Sequence, residues 1–238
     1  MQEAGVSGPE VSVVMATFNQ AATLPETLRS LRAQTLAPER WELIIIDDGS
    51  TDATAEILRR EAGTARVVRQ ENQGLPTACN RGLELAFGEY FTRIDSDDFA
   101  EPGWLETLVR ALDSDRQAVC AVPDRREGSE HAWRTVPSEV DNLYSLIACG
   151  TLFRTQELRA AGGFRPLYWE EYDLYLRLRP RGRFLHVNQP LYGYRKNEAG
   201  MTADLQRRRQ GWKELVKLWG VETLRTAGAS QDLEQAIR

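Results

Sequence analysis

Four short extended runs with helical segments between them constrain this chain more than any other feature. Residues 11–15 (Val-Ser-Val-Val-Met), 41–46 (Trp-Glu-Leu-Ile-Ile-Ile), 66–69 and 90–94 (Tyr-Phe-Thr-Arg-Ile) are rich in β-branched and aromatic residues. Between them, residues 22–33 carry Leu24, Leu28 and Leu31 at helical spacing, 53–60 follow the capping-type residues Ser50, Thr51 and Asp52, and 74–87 follow a glycine. The order β-α-β-α-β-α-β with short connections predicts a right-handed, Rossmann-like, mostly parallel α/β sheet flanked by helices. A run as apolar as 41–46 suits a strand covered on both faces. In such sheets the ligand site lies beyond the carboxyl ends of the strands.

Three of these strand-end segments, at Phe18, at Asp48 and at Asp95, all fall on that edge. The last is the sharpest, because the apolar run stops in Asp95-Ser96-Asp97-Asp98. An ionised carboxylate cannot continue into a core unless it is paired or metal-bound. With a period of two, Asp95 and Asp97 project to one side, where their oxygens suit a hard divalent cation, Mg2+ or Mn2+, while Asp98 points elsewhere. The alternative is a solvated turn whose Asp caps the helix after Pro102. The shared edge favours the metal.

The remaining chain continues the α/β pattern. Helices are expected over 101–112, 156–161 and 168–178, and strands over 118–122, 147–154, 184–187 and 191–194. Residues 124–141 suit a hairpin or a mobile loop. Residues 205–219 form a basic amphipathic helix with Leu205, Trp212, Leu215, Val216 and Trp219 on one face. Such a helix can lie on an anionic membrane surface as a peripheral contact, or pack its tryptophans on the main domain, which is the expected use. We therefore expect a domain over 1–203, with halves 1–98 and 99–203, and a helical extension over 204–238.

The net charge of −5 gives no sign of nucleic-acid binding, so an anionic ligand must be met locally. Cys79, Cys120 and Cys149 are widely spaced and odd in number, which argues for reduced thiols in a cytoplasmic setting. No run of residues reaches the length and apolarity of a membrane span, and residues 1–9 lack the pattern of an export signal.

Five segments together resemble glycosyltransferase family 2: Val13 to Asn19, Ile46 to Asp52, Glu71-Asn72-Gln73-Gly74, Asp95 to Asp98, and Glu170 to Leu174. They occur in the family's order and at its typical spacings, from about Val11 to Thr202. The resemblance implies a GT-A fold, a nucleotide-diphosphate sugar donor (foremost a UDP-sugar), a divalent metal, and inverting transfer to a hydroxyl of a carbohydrate or other acceptor. Carried over by position, Ala16, Phe18, Asn19, Asp48, Asn80, Asp95 and Ser96 would bind the nucleotide sugar. Phe18 would lie near the base, Asp48 would accept a hydrogen bond from a base N–H, and Asp95 and Ser96 would sit by the ribose. Asp97 would hold the metal. Glu171 falls where the family places its catalytic base, normally the Asp of a Glu-Asp pair.

The chain departs from the family at three places. The Glu170-Glu171 pair adds a methylene, so the pocket must compensate or Glu170 or Asp173 must share the work. Cys79 stands where a basic donor contact is usual, which leaves Arg81 as a substitute. Asn197 replaces a usual His before Met201-Thr202, with Arg195 or Lys196 able to close over the diphosphate. These departures keep open a second reading, a nucleotide-sugar-binding or scaffold protein of the same fold without turnover.

Overall fold

The computed structural model describes residues 8–129, 132–196, 204–228 and 230–236. Its first half alternates strictly: β1 (Val11–Thr17), α1 (Leu24–Arg32), β2 (Trp41–Asp47), α2 (Thr54–Glu61), β3 (Arg66–Arg69), α3 (Leu75–Leu85) and β4 (Tyr90–Arg93). Then come β5 (Phe99–Ala100), α4 (Trp104–Ser114), β6 (Ala118–Ser129), β7 (Ala132–Val136), β8 (Leu152–Arg154), α5 (Thr155–Ala160), α6 (Glu170–Leu178) and β9 (Arg183–Arg195). Three helices close the chain, α7 (Leu205–Trp219), α8 (Val221–Thr226) and α9 (Gln231–Ala236).

The strands form one sheet in the order β3-β2-β1-β4-β8-β6-β9-β5, with β7 paired to β6. As expected, β1 to β4 are parallel. Beyond β4 the sheet is mixed, because β8 runs antiparallel to both β4 and β6 while β6 and β9 are parallel. Fully buried residues on its two faces pack under α1 and α4 on one side and under α3 and α6 on the other. Gly82 lets α3 lie directly on β1, since a Cβ there would come within 2.3 Å of Val14 Cγ1. Gly49, at φ +82, turns the chain sharply after β2 within reach of the Asn72 N–H.

Two expectations are corrected. The strand over 147–154 forms only from Leu152, because the Ile147 carbonyl accepts from Thr151 Oγ1 and Tyr175 Oη and Gly150 adopts φ +78. The two strands over 184–187 and 191–194 are one, β9, whose register against β6 shifts near Pro190, the residue that cannot donate to the ladder. Residues 124–136 resolve as the hairpin option, β6 returning as β7.

Helices α7 to α9 bury Trp212, Leu215, Leu224 and Leu233 in the same apolar cluster as α6. The Trp212 ring meets Tyr172 stacked at 5.5 Å, Trp169 at 5.6 Å and Tyr144 edge-on at 5.1 Å. Leu205 departs from the expected face and is 64% exposed, in the first turn after the Asp204 cap. Among the described residues, no helix is long and apolar enough to cross a membrane.

Candidate active site

The loops after β1, β2 and β4 meet the start of α6, the end of β9 and Arg207 of α7 around a cleft of about 690 Å3. Of the residues singled out from the sequence, Ala16, Phe18, Asp48, Asp95, Ser96, Asp97 and Glu171 line it. A groove of similar size beside α9 is lined by Arg225, Ser230, Gln231 and Glu234 and gathers no comparable set of groups. Asn19 and Asn80 are not among the cleft's lining residues. Asn19, at φ 53, uses its Oδ1 to accept from the N–H groups of Thr51 and Asp52, tying the β1 loop to the β2 loop. Asn80 clamps the Phe164 backbone, donating to its carbonyl at 2.7 Å and accepting from its N–H at 2.8 Å.

At one end of the cleft, Phe18 presents a ring that is 44% exposed. Asp48 is buried, and its carboxylate accepts from Gln70 Nε2, Gln73 N and Gly74 N at 2.8 to 3.0 Å. Those donors engage Oδ1 twice and Oδ2 once, so Oδ2 keeps an acceptor site. Its neighbour Asp47 is structural, bonded to Ser50 N and Arg69. Asp52, just before the N-cap residue Ala53 of α2, accepts from Thr54 N and Ala21 N.

The acids after β4 do not cap α4, which begins at Trp104 after Gly103 with no side-chain cap. Instead they form a turn in which the residues diverge. Asp98 points inward, accepting from Tyr192 Oη and the Arg195 N–H, both at 2.7 Å. The same Tyr192 hydroxyl accepts from Asp95 N at 3.1 Å. Arg195 donates from Nε to the Asp97 carbonyl and pairs with Glu26, so its side chain anchors this turn. Lys196 pairs with Glu127 at 3.1 Å, away from the cleft lining. Asn197, Met201 and Thr202 lie outside the described residues.

Asp97 and Asp95 face the cleft half-buried. Burial and the charge of Asp95 push the Asp97 carboxyl up to about 6. Burial raises Asp95 and Asp98 too, against the pull of Arg93 on the former. Repelling hard oxygen donors at the mouth of an anion-sized cleft fit a divalent cation, since Mg2+ and its like bind through one or two carboxylates plus substrate phosphates. Asp95, Asp98 and Cys149 also bring a ligand atom each within 4.8 Å of one another. That trio suits such a cation less well: both Asp98 oxygens are engaged, and burial pushes the soft Cys149 thiol up.

Across the cleft, the two glutamates of α6 separate. Glu170 is buried at 3% exposure and bonds Arg93 Nη1 at 2.7 Å. Glu171 faces the cleft, where burial and then the Glu170 charge raise its carboxyl well above the ordinary range. Asp173 takes no part, being fully buried between Arg165, Arg177 and Trp219 Nε1. Arg81 is not the missing cation either, since it pairs with Glu84 on the outer face of α3. Cys79 packs 4.0 Å from Arg93, and burial pushes its thiol up to about 12. Arg93 was missed from sequence; a charged residue inside the run Tyr-Phe-Thr-Arg-Ile was the available signal.

In sequence and in fold the chain is similar to known proteins. The sequence model described as glycosyl transferase family 2 matches residues 12–170, more than half of the chain. The chain belongs to glycosyl transferase family 2. A Bacillus subtilis protein named as a glycosyltransferase, EpsE, is 30% identical over 80% of this chain and 74% of its own length. The chondroitin synthase of Escherichia coli is 29% identical over 77% of this chain. The family 2 chain described here spans only 28% of that synthase and 39% of another Bacillus subtilis relative, EpsH. In fold, it superposes on Staphylococcus aureus TarS in complex with UDP-GlcNAc with a TM-score of 0.71 at 19% identity, covering 96% of this chain and 71% of TarS residues 1–349. The mannosyltransferase PcManGT from Pyrobaculum calidifontis, in complex with GDP-Man and Mn2+, gives 0.70 at 17% identity over 97% and 79% of the two chains. The fold is thus GT-A.

Proposed function

We propose that this glycosyltransferase moves a hexosyl or N-acetylhexosaminyl group from a nucleotide-diphosphate sugar, a UDP-sugar foremost, to an acceptor hydroxyl with inversion. The observation that carries the reading is the division of the glutamate pair: Glu170 is held by Arg93, whereas Glu171 faces the acid turn across one cleft. Asp97 would hold a divalent cation, Mn2+ or Mg2+, which when bound neutralises the diphosphate both in binding and as a leaving group. Phe18 offers its exposed ring to the base, and Oδ2 of Asp48 its spare lone pair to a base N–H. Ala16 gives the base room. Asp95 and Ser96 face the ribose. Asn19 and Asn80 serve the site indirectly, by holding its loops.

In the chemical step, the acceptor oxygen attacks the anomeric carbon from the face opposite the diphosphate. Its proton passes to the Glu171 carboxylate, the bond from the anomeric carbon to the diphosphate oxygen breaks, and the diphosphate leaves with the electron pair. Tyr168 at the cleft wall suits the apolar face of a sugar acceptor, whereas Trp169, 7% exposed and stacked on Tyr172, belongs to the core. The outward basic residues of α7, Arg209, Lys213 and Lys217, fit a peripheral contact with an anionic surface.

Calorimetry with UDP and GDP, with and without Mn2+, tests this assignment. We expect UDP to bind the wild type in the presence of Mn2+, and Asp97→Ala to weaken that binding at least about tenfold while leaving metal-free binding alone. Absence of nucleotide binding under every metal condition would overturn the reading.

A further inference from the structure

Arg93 is an unusual residue to find beneath an active site. It ends β4 with 4% exposure, in a strand otherwise made of Tyr90, Phe91 and Thr92. Its guanidinium bonds Glu170 Oε1 at 2.7 Å and lies 5.4 Å over the Phe164 ring, which the Asn80 clamp holds by its backbone. Its Nε is buried with no hydrogen-bond partner, the Asp95 carboxylate being 3.8 Å away. Burial works against the charge, but Glu170 and Asp95 more than offset it. One cation therefore serves three carboxylates, Asp95, Glu170 and Glu171.

We propose that Arg93 and Glu170 are a positioning pair for Glu171: the guanidinium anchors the Glu170 carboxylate beneath the cleft, and that carboxylate accepts a hydrogen bond from Glu171 when Glu171 carries the acceptor's proton. The pair thus gives the transferred proton a defined place between two side-chain oxygens, and it aims the longer Glu side chain where a shorter Asp would otherwise stand. Arg93, Glu170 and Glu171 line the same cleft, the two glutamates from adjacent positions at the start of α6, and the charge of Glu170 favours the protonated form of its neighbour. No redox partner is needed, since only the proton moves.

Other charged and titratable groups face the same space. Asp95 and Cys79 approach Arg93 from β4 and α3, Tyr194 and Arg195 line the cleft from β9, Tyr168 precedes α6, Tyr172 follows on α6, and Arg207 reaches in from α7. Of the groups acting on Glu171, Glu170 raises its carboxyl most after burial, and Arg93 opposes it. The two members of the pair therefore have opposite signs. Removing Glu170 lowers the pH at which Glu171 releases its proton, and removing Arg93 raises it.

This inference rests on the assignment of Glu171 as base, but its test does not need turnover. The 238-residue chain labelled with 13C at glutamate carboxyls is titrated by NMR, the Glu171 signal being identified by its loss in Glu171→Gln. We expect Glu170→Gln to lower the Glu171 midpoint by about one pH unit or more, Arg93→Met to raise it similarly, and Arg93→Lys to keep it near the wild-type position. A Glu171 midpoint unchanged in Glu170→Gln, a near-isosteric variant whose folding is checked in its amide spectrum, overturns the pair even if Arg93→Met fails to fold. If the midpoints move as stated but Glu171→Gln still turns over donor normally, the base assignment fails and the pair stands. A residue that merely filled space would change amplitude, not the midpoint.

Discussion

Glu171→Gln is expected to lower kcat for sugar transfer by about 10²–10⁴-fold, the usual contribution of a positioned general base, with nucleotide affinity unchanged. The amide keeps the shape of the side chain and removes only its capacity to take a proton, so the loss falls on the chemical step. In the wild type the pH dependence has a defined sign. In its proposed role Glu171 works when deprotonated, and burial together with the Glu170 charge raises its carboxyl well above the ordinary range. Activity should therefore fall as pH is lowered, starting at a higher pH than an exposed glutamate would give, and the acid limb should vanish in Glu171→Gln. Steady-state release of UDP across a pH series, alongside calorimetric UDP binding with Mn2+, measures both. A variant with near-wild-type kcat would transfer the role of base elsewhere.

Trp212→Ala should be strongly destabilising, by about 3–5 kcal/mol. Its ring is 1% exposed and closes an aromatic cluster with Tyr144, Trp169 and Tyr172, while Gly211 beside it lets α7 approach the Tyr168 Cβ closely. Trp169 and Tyr172 flank Glu170 and Glu171 in sequence, so the cavity opens directly behind the start of α6. Urea unfolding followed by intrinsic fluorescence and by far-ultraviolet circular dichroism measures the loss. We expect the two probes to separate, with α7 to α9 loosening before the sheet. A single coincident transition with a loss below about 1 kcal/mol would mean that these helices rest on the domain without supporting it.

What could be read in the sequence was whatever chemistry is local to one strand end. Asp48, Asp95, Asp97 and Glu171 each stop an apolar run or open a helix, and each lines the cleft. Asn19 and Asn80 hold backbone and do not line the cleft: an amide can serve a ligand or a backbone equally well, and its choice depends on contacts such as Phe164, 84 residues away from Asn80. Arg93 and Tyr192 escaped notice because both sit inside apolar strands, where their partners, Glu170 and Asp98, come from distant segments. The parallel half of the sheet followed from periodicity and connection length. The mixed half did not, since β8 is only three residues long and β9 crosses its own irregularity near Pro190.

If the cleft takes its proposed cation, the crowding of raised carboxyls around it should make binding an acid-releasing event. Asp97 holds its proton up to about 6, and Asp95 and Asp98 are pushed the same way by burial. A divalent cation seated there would favour the ionised forms and expel those protons into the medium. Occupancy should then grow as pH rises, even where the charge on the nucleotide itself is constant. The heat recorded on mixing will contain the ionisation enthalpy of whichever buffer receives the protons, so that comparing two buffers counts them.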